Sequence, residues 1–253
     1  MRCVWCLRWY AGASVLRCSH LNRALGVIQV HRFNMSIIQN NSFNIPLYHG
    51  TTSLFIDSIK QHGLGAIDPL NNMKAKDLMQ GFFSLADKQN WKDSEWLNAR
   101  AKLEPLLNQT KNQHYNFMHG GTYLTYSPEL AKRYAIENPF GCEYLYYLRI
   151  LFAILANRKV NEVKQFFEHP VFKAWEKPND PYLIQVDGLK LSSVETEIET
   201  DLNRQLNIIE ANLRNGQCDA RSFKLTDIVS PENLIITSIG KWNESGTQLI
   251  ETV

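Results

Sequence analysis

Apolar and polar positions along the chain fall into short strand-like and longer helix-like segments. "FNIPLYHG" (43–50) is typical of a buried strand that ends in a turn, and from Ser53 the apolar residues take helical spacing as far as Gly63. "GGTYLT" (120–125) predicts a second short strand, after which "SPELAKRYAIENP" predicts a helix capped by Ser127. The pattern therefore predicts the α+β fold class.

The later part of the chain predicts one more helix and several strands. "YLIQVDGLKLSSV" (182–194) predicts a hairpin that turns at Asp187-Gly188. "ETEIETDLNRQLNIIEANLRNG" (195–216) has one apolar side at helical spacing and ends in a glycine, so it predicts an amphipathic helix. "SFKLTDI" and "NLIITSI", which begin at Ser222 and Asn233, predict the closing strands.

Charge is distributed unevenly along the 253 residues. The net charge of +2 argues against a nucleic-acid partner, but five arginines and no lysine precede the first acidic residue, Asp57. An Arg-rich, acid-free segment is typical of a mitochondrial transit peptide. The alternative explanation is that the start codon is assigned too early and that the protein begins at Met35. We expect residues 1–44 to be a basic leader that is disordered, targeting or mis-annotated, with mitochondrial targeting by residues 1–34 as one possibility. The domain then covers 45–253.

The cysteines and the longest apolar runs exclude several other classes of protein. Three of the five cysteines lie in the leader, where Cys3 and Cys6 form a C-x-x-C with no second pair at zinc spacing. The remaining two are too few for a disulfide framework, which favours a reducing compartment. No apolar run is long enough for a membrane span, and no motif predicts a metal site. Residues 66–119 are polar and partly helical in pattern, which predicts an insertion between two core elements.

Three sequence segments follow one another in an order that resembles a known superfamily. They are "YHGT" with His49, "GGTYLTYSPELAKRYA" with Tyr123 and Tyr134, and the late strand "SFKLTDIVSPENLIIT". Their order resembles the diphtheria-toxin and poly(ADP-ribose) polymerase branch of the ADP-ribosyltransferases, in which a His, a Tyr and a Glu lie on three successive core strands. The resemblance covers about residues 45–64, 119–137 and 220–240.

The resemblance implies a split β-sandwich of two small sheets with flanking helices, and NAD bound as a substrate in the cleft between the sheets. It implies that His49 hydrogen-bonds the adenine-side ribose and that the Gly50 backbone pairs with the nicotinamide carboxamide. Thr51 belongs to the same stretch of the cleft. Tyr123 corresponds to the motif tyrosine, and Tyr134 to the aromatic residue that stacks on the nicotinamide ring.

The catalytic carboxylate of that branch has no evident counterpart. Breaking the bond between nicotinamide and ribose develops positive charge, which a carboxylate stabilises. The resemblance places Ser222, or Arg221, where the glutamate lies. Asp219 lies three residues before Ser222, so on a regular strand it points to the other face. It would take the place of the glutamate only if a bulge or turn intervened. Glu195 and Glu197 could be brought in by a loop, with solvent exposure as the alternative.

These observations support three hypotheses about function. The first is a mono-ADP-ribosyltransferase that modifies a protein acceptor, similar to a toxin or effector, in the cytoplasm or delivered to a host cell. Its candidate catalytic residues are Tyr123, Ser222 and Asp219. The second is a degenerate relative that binds NAD, ADP-ribose or a protein partner without catalysis, because Ser222 replaces the glutamate and Leu130 stands where the family usually has a serine. The third is a relative of the tRNA 2′-phosphotransferases, with Arg221 as its suggestive residue.

Overall fold

The structure, a computed structural model, describes residues 36–109, 120–176, 178–197, 201–243, 245 and 247–251. Over these residues the chain folds as an α+β protein with one six-stranded antiparallel sheet, two small hairpins and flanking helices, so the α+β part of the predicted fold is confirmed. The predicted leader up to residue 35 and residues 110–119 of the predicted insertion lie outside the described residues.

Helices and strands follow one another in short runs along the described residues. The helices are α1 (Ser53–His62), α2 (Pro69–Asn72), α3 (Ala75–Lys88), α4 (Ser94–Leu107), α5 (Pro128–Glu137), α6 (Glu143–Asn157), α7 (Pro170–Ala174) and α8 (Leu202–Arg214). Short 3-10 helices cover Asn161–Phe166, Leu191–Ser193 and Pro231–Asn233. The strands are β1 (Ile38–Gln39), β2 (Ser42–Phe43), β3 (Leu47–Thr52), β4 (Tyr123–Thr125), β5 (Pro181–Val186), β6 (Val194–Thr196), β7 (Ser222–Leu225), β8 (Leu234–Ser238), β9 (Gly240–Trp242) and β10 (Leu249–Glu251).

The start of the folded region differs from the predicted domain boundary at residue 45. Strands β1 and β2 form an antiparallel hairpin, in which Ile37 and Phe43 are buried. The Phe43 ring packs edge-on against Phe223, with 5.0 Å between the ring centroids. Residues 36–44, assigned to the leader on composition, therefore belong to the fold because their apolar side chains contribute to its core.

The main sheet is divided into two halves. Its strand order is β6-β7-β4-β3-β5-β8, and all neighbours are antiparallel. Strands β3 and β5 pair along six residues, whereas β3 and β4 share the single pair Tyr48–Thr125. The sheet thus consists of two three-stranded halves, β6-β7-β4 and β3-β5-β8, which meet at one point and part beyond Tyr48.

The predicted hairpin at Asp187-Gly188 is wrong. Gly188 does form a turn with φ of 62°, but the strand that follows, β6, pairs with β7 at the opposite edge of the sheet from β8. Alternating apolar residues predict that a segment is a strand but do not specify its partner, since side-chain period is the same in every pairing. The crossover places the end of β6 beside β7.

Helices cover both faces of the sheet. On one face, α1 and α8 pack over the buried strand residues, with Ile56, Ile59, Leu206 and Ile209 buried in that core. On the other face, α5 contacts β3 and β5. Gly63, with φ of 93°, ends α1 as predicted, because that backbone conformation is accessible to glycine. The helix predicted over 195–216 is present only in its later part, as α8, because residues 195 and 196 belong to strand β6 and residues 198–200 lie outside the described residues.

The described part of the predicted insertion is helical, as expected. Helices α2, α3 and α4 pack against α6 and α7 around a second hydrophobic core, distinct from the core under the sheet. No helix within the described residues has the length and apolar character needed to cross a membrane. The insertion therefore joins the later helices in a helical layer beside the sheet.

Candidate active site

A cavity of about 950 Å³ opens where β3 and β4 part. Ligand pockets typically measure about 300–1,000 Å³, so this cavity has room for a molecule as large as a dinucleotide. Its walls come from β3, β4, α1, α2, α5, the first turn of α6, the residue after β6 and the start of β7. The candidate residues that line it are His49, Gly50, Thr51, Tyr123, Tyr134 and Ser222.

His49 connects the two halves of the sheet. Its imidazole Nδ1 lies 2.9 Å from the backbone carbonyl oxygen of Tyr123. Because a carbonyl oxygen can only accept, Nδ1 carries the proton and donates it. Burial lowers the pKa of His49, and the hydrogen bond to Tyr123 offsets part of that effect. The ring is therefore neutral at pH 7, and Nε2 is an acceptor suited to a hydroxyl group of a ligand.

Gly50 allows α5 to approach β3 closely. A Cβ atom at this position would overlap the backbone carbonyl oxygen of Ala131. The resemblance explains the glycine by pairing between its backbone and a ligand. The structure adds a packing reason, and over the described residues it also leaves the edge of β3 beyond Tyr48 without a strand partner on the β4 side. Thr51, buried within the same strand, lines the cavity next to it.

Helix α5 carries Tyr134 into the cavity. The helix begins as the sequence predicts, with the Ser127 hydroxyl accepting a hydrogen bond from the Leu130 N–H at 3.2 Å. The Tyr134 ring is 39% exposed, and its hydroxyl accepts from the Glu143 N–H at 3.3 Å. Burial, with Cys142 and Glu143 nearby, raises the pKa of Tyr134. The residue thus presents a neutral aromatic ring to a ligand.

Ser222 holds a carboxylate at the cavity. Its hydroxyl donates a hydrogen bond to the Glu197 carboxylate, and both residues line the cavity. Glu197 directly follows β6, in which Thr196 pairs with Phe223 of β7. A carboxylate therefore reaches the cavity beside Ser222 from the residue that follows the neighbouring strand β6. Glu195, the other residue left open, pairs with Lys224 at 2.6 Å and does not line the cavity.

Asp219 lies outside the cavity lining. Its carboxylate accepts hydrogen bonds from the Tyr126 hydroxyl at 3.1 Å and from the Asn212 side-chain amide at 2.8 Å. It also forms an ion pair with Arg221. These contacts fix the start of β7 against β4 and α8. The structure therefore does not bring Asp219 together with the other candidates, and Arg221 also lies outside the lining.

Glu143 is a cavity residue that the sequence analysis did not identify. It is the first residue of α6, and its side chain lines the cavity. Burial and the nearby charge of Glu197 raise the pKa of Glu143. Burial also raises the pKa of the neighbouring Cys142 thiol to about 11, which keeps that thiol protonated and a poor nucleophile. A glutamate in a first helical turn is common, so no sequence signal distinguishes this one.

The charge of the cavity is predominantly acidic. The described residues that line it include three carboxylates, which are Glu137, Glu143 and Glu197. They include a single basic side chain other than histidine, that of Arg133. Within the described part of the chain, no group of three or more His, Cys, Asp or Glu side chains could hold a metal ion. The chemistry that these side chains offer is hydrogen bonding, aromatic stacking and carboxylate catalysis.

Comparison of the chain with protein-family models, with curated proteins and with solved structures finds no match in any of the three. The geometry of the cavity is therefore the basis on which a function is proposed.

Proposed function

We propose that the chain is an enzyme of the ADP-ribosyltransferase type that binds NAD in the cavity between the two halves of the sheet. The observation that carries this proposal is the arrangement at the split. His49 bridges to Tyr123 across it, and Glu197, held by Ser222, reaches the same cavity. Within this class, the proposed activity is that of a mono-ADP-ribosyltransferase with a protein acceptor.

Each cavity residue has a part in this proposal. The His49 Nε2 accepts a hydrogen bond from a ribose hydroxyl, and the open backbone edge at Gly50 pairs with the nicotinamide carboxamide. The Tyr134 ring stacks on nicotinamide, while Thr51 and Tyr123 shape the adjoining walls. Glu197 then faces the nicotinamide ribose and stabilises the positive charge that develops as the glycosidic bond breaks.

A second candidate is a protein that binds NAD or ADP-ribose without cleaving it. The observation that favours it is Leu130, which lines the cavity where the resembled family usually places a serine. A leucine cannot donate a hydrogen bond to the nicotinamide amide. The alternative of a tRNA 2′-phosphotransferase relative is not proposed further, because Arg221 pairs with Asp219 outside the cavity lining.

Incubation of the full chain with NAD labelled in its adenylate, in the presence of a cell lysate, tests the proposal. Label attached to protein in single ADP-ribose units supports the mono-transferase. Binding of NAD by calorimetry, without nicotinamide release or protein labelling, favours the non-catalytic candidate. Absence of both binding and release contradicts the proposed function. A cytoplasmic or host-delivered location of the enzyme is part of the same proposal.

Replacing His49 with alanine is expected to weaken NAD binding moderately. A hydrogen bond between uncharged groups contributes about 0.5–1.5 kcal/mol, which corresponds to roughly a 2- to 12-fold rise in Kd. Titration calorimetry with NAD measures this change. The melting temperature should fall only slightly, because the substitution removes a single hydrogen bond between uncharged groups. An unchanged Kd, or an unfolded protein, would show that the histidine is a structural residue.

Replacing Ser222 with alanine is expected to slow NAD cleavage. The substitution removes the hydroxyl that orients the Glu197 carboxylate, and a hydrogen bond to a charged group is worth about 1.5–3 kcal/mol. We therefore expect kcat to fall roughly 10- to 100-fold. Initial rates of nicotinamide release give this value. The matched control is Ser222→Thr, which keeps the hydroxyl, and equal loss in both variants would contradict the positioning role.

A further inference from the structure

Glu143 occupies a distinctive position in the candidate active site. Its backbone N–H holds the Tyr134 hydroxyl, and its side chain lines the cavity that Glu197 also lines. Within the described residues, its carboxylate makes no hydrogen bond and no ion pair. It is half-buried at the cavity and has no partner among the described side chains, so it is available to a ligand or to a reacting group.

The proposed reaction includes a proton transfer as well as the stabilisation of charge. Glu197 already accepts the Ser222 hydroxyl and is suited to stabilise charge on the ribose. When an acceptor hydroxyl or amine attacks the ribose, its attacking atom must also lose a proton, and a positioned base for that proton typically accelerates a reaction by about 10²–10⁴-fold. Two carboxylates in one cavity, one of them held and one unpaired, can divide these two tasks.

We propose that Glu143 is the proton acceptor for the group that attacks the nicotinamide ribose. This inference rests on the proposed function. The bond between ribose C1 and the nicotinamide nitrogen breaks, and its electron pair leaves with nicotinamide. The attacking oxygen or nitrogen forms the new bond to C1. The proton that the attacking atom loses passes to the Glu143 carboxylate, from which it reaches solvent before the next turnover.

The electrostatic surroundings of Glu143 agree with this role. Burial and the Glu197 charge raise the pKa of Glu143, which makes its carboxylate a stronger base. Two further titratable groups close to Glu143 are Tyr134, on α5, and Cys142, which precedes α6. Burial raises the pKa of both, so both remain neutral at pH 7 and neither competes for the proton.

Hydrolysis of NAD by the full chain, with water as the acceptor, tests the inference without a known protein substrate. Glu143→Gln should lower kcat for nicotinamide release on the order of 10²-fold, with little change in the KM for NAD. Glu143→Asp should retain part of the activity, because it keeps a carboxylate. Glu195→Gln is the matched control, since Glu195 lies outside the cavity lining and pairs with Lys224 on the surface.

Azide distinguishes a proton acceptor from a merely structural residue. Azide has no proton to lose, so it should restore nicotinamide release in Glu143→Gln and give ADP-ribosyl azide. It should not restore Glu197→Gln, which lacks the group that stabilises the ribose charge. A normal kcat in Glu143→Gln overturns the inference, and so does failure of azide to restore nicotinamide release in that variant. In either case the proposed function stands as long as cleavage of NAD still depends on Glu197. If the wild-type chain releases no nicotinamide, either to water or in the presence of the cell lysate, the proposed transferase activity and this inference are overturned together.

Discussion

The variant Glu197→Gln is expected to lose roughly 10²- to 10³-fold in kcat for NAD cleavage, because a positioned group at a developing charge contributes about that much. Glutamine keeps the size and shape of the side chain but carries no negative charge. The Ser222 hydroxyl can still bond to its amide oxygen, so the local packing should persist. NAD binding should change little, since the charge it stabilises develops only as the glycosidic bond breaks.

Steady-state nicotinamide release and NAD calorimetry together check this expectation. Glu195→Gln is the control, because Glu195 lies two residues earlier, next to the same neighbouring strand, and pairs with Lys224 outside the cavity lining. Its kcat should stay within about twofold of wild type, as expected for an exposed ion pair. Equal rates for Glu197→Gln and wild type would contradict the assignment of the catalytic carboxylate to Glu197.

The position of Glu197 also changes what is expected of Ser222→Glu. On the sequence alone, this substitution restores the carboxylate of the resembled family and raises NAD cleavage. In the structure, the new carboxylate would lie against Glu197, and two like charges at hydrogen-bond distance cannot both remain ionised without cost. We therefore expect a loss of activity from Ser222→Glu rather than a gain.

Local signals explain which parts of the fold the sequence could predict. Ser127 caps α5, Pro128 occupies its first position and Gly63 ends α1, and each depends on residues within one turn. The strands that carry His49 and Tyr123 were likewise predicted from short apolar runs bounded by glycines. These elements supply most of the candidate residues that line the cavity, so short-range patterns account for the positions of those residues.

The rest of the site depends on pairings between distant segments. The sequence predicted a hairpin after Val186, yet the chain crosses to the far edge of the sheet and brings Glu197 beside Ser222, 25 residues later. Strand register over such separations is set by packing of the whole sheet, which no local pattern records. The same limit applies to Asp219, which the sequence offers as a candidate catalytic residue. Its hydrogen-bond partners Tyr126 and Asn212 come from other elements, and these contacts keep it out of the cavity lining.

The same long-range packing makes Gly50 the most sensitive glycine of the site. Helix α5 passes so close to β3 that an added Cβ, besides overlapping the Ala131 carbonyl, would lie 3.2 Å from the backbone nitrogen of Ala135. Both contacts are to helix backbone, which cannot rotate away as a flexible side chain can. Accommodating the methyl group therefore requires that α5 itself move, and α5 carries Tyr134.

Gly50→Ala is accordingly expected to destabilise the fold by about 3 kcal/mol, the upper end for overpacking a tight contact. For a domain of this size that corresponds to a fall in Tm of roughly 6–12 °C by calorimetry. Gly188→Ala is the control: a Cβ there meets nothing within 4 Å, but φ of 62° makes alanine unfavourable by about 1–2 kcal/mol. NAD binding should weaken in Gly50→Ala alone, because only that change displaces Tyr134. A Tm for Gly50→Ala equal to or above that of Gly188→Ala would show that the sheet and α5 separate easily, and that the glycine is not required for their packing.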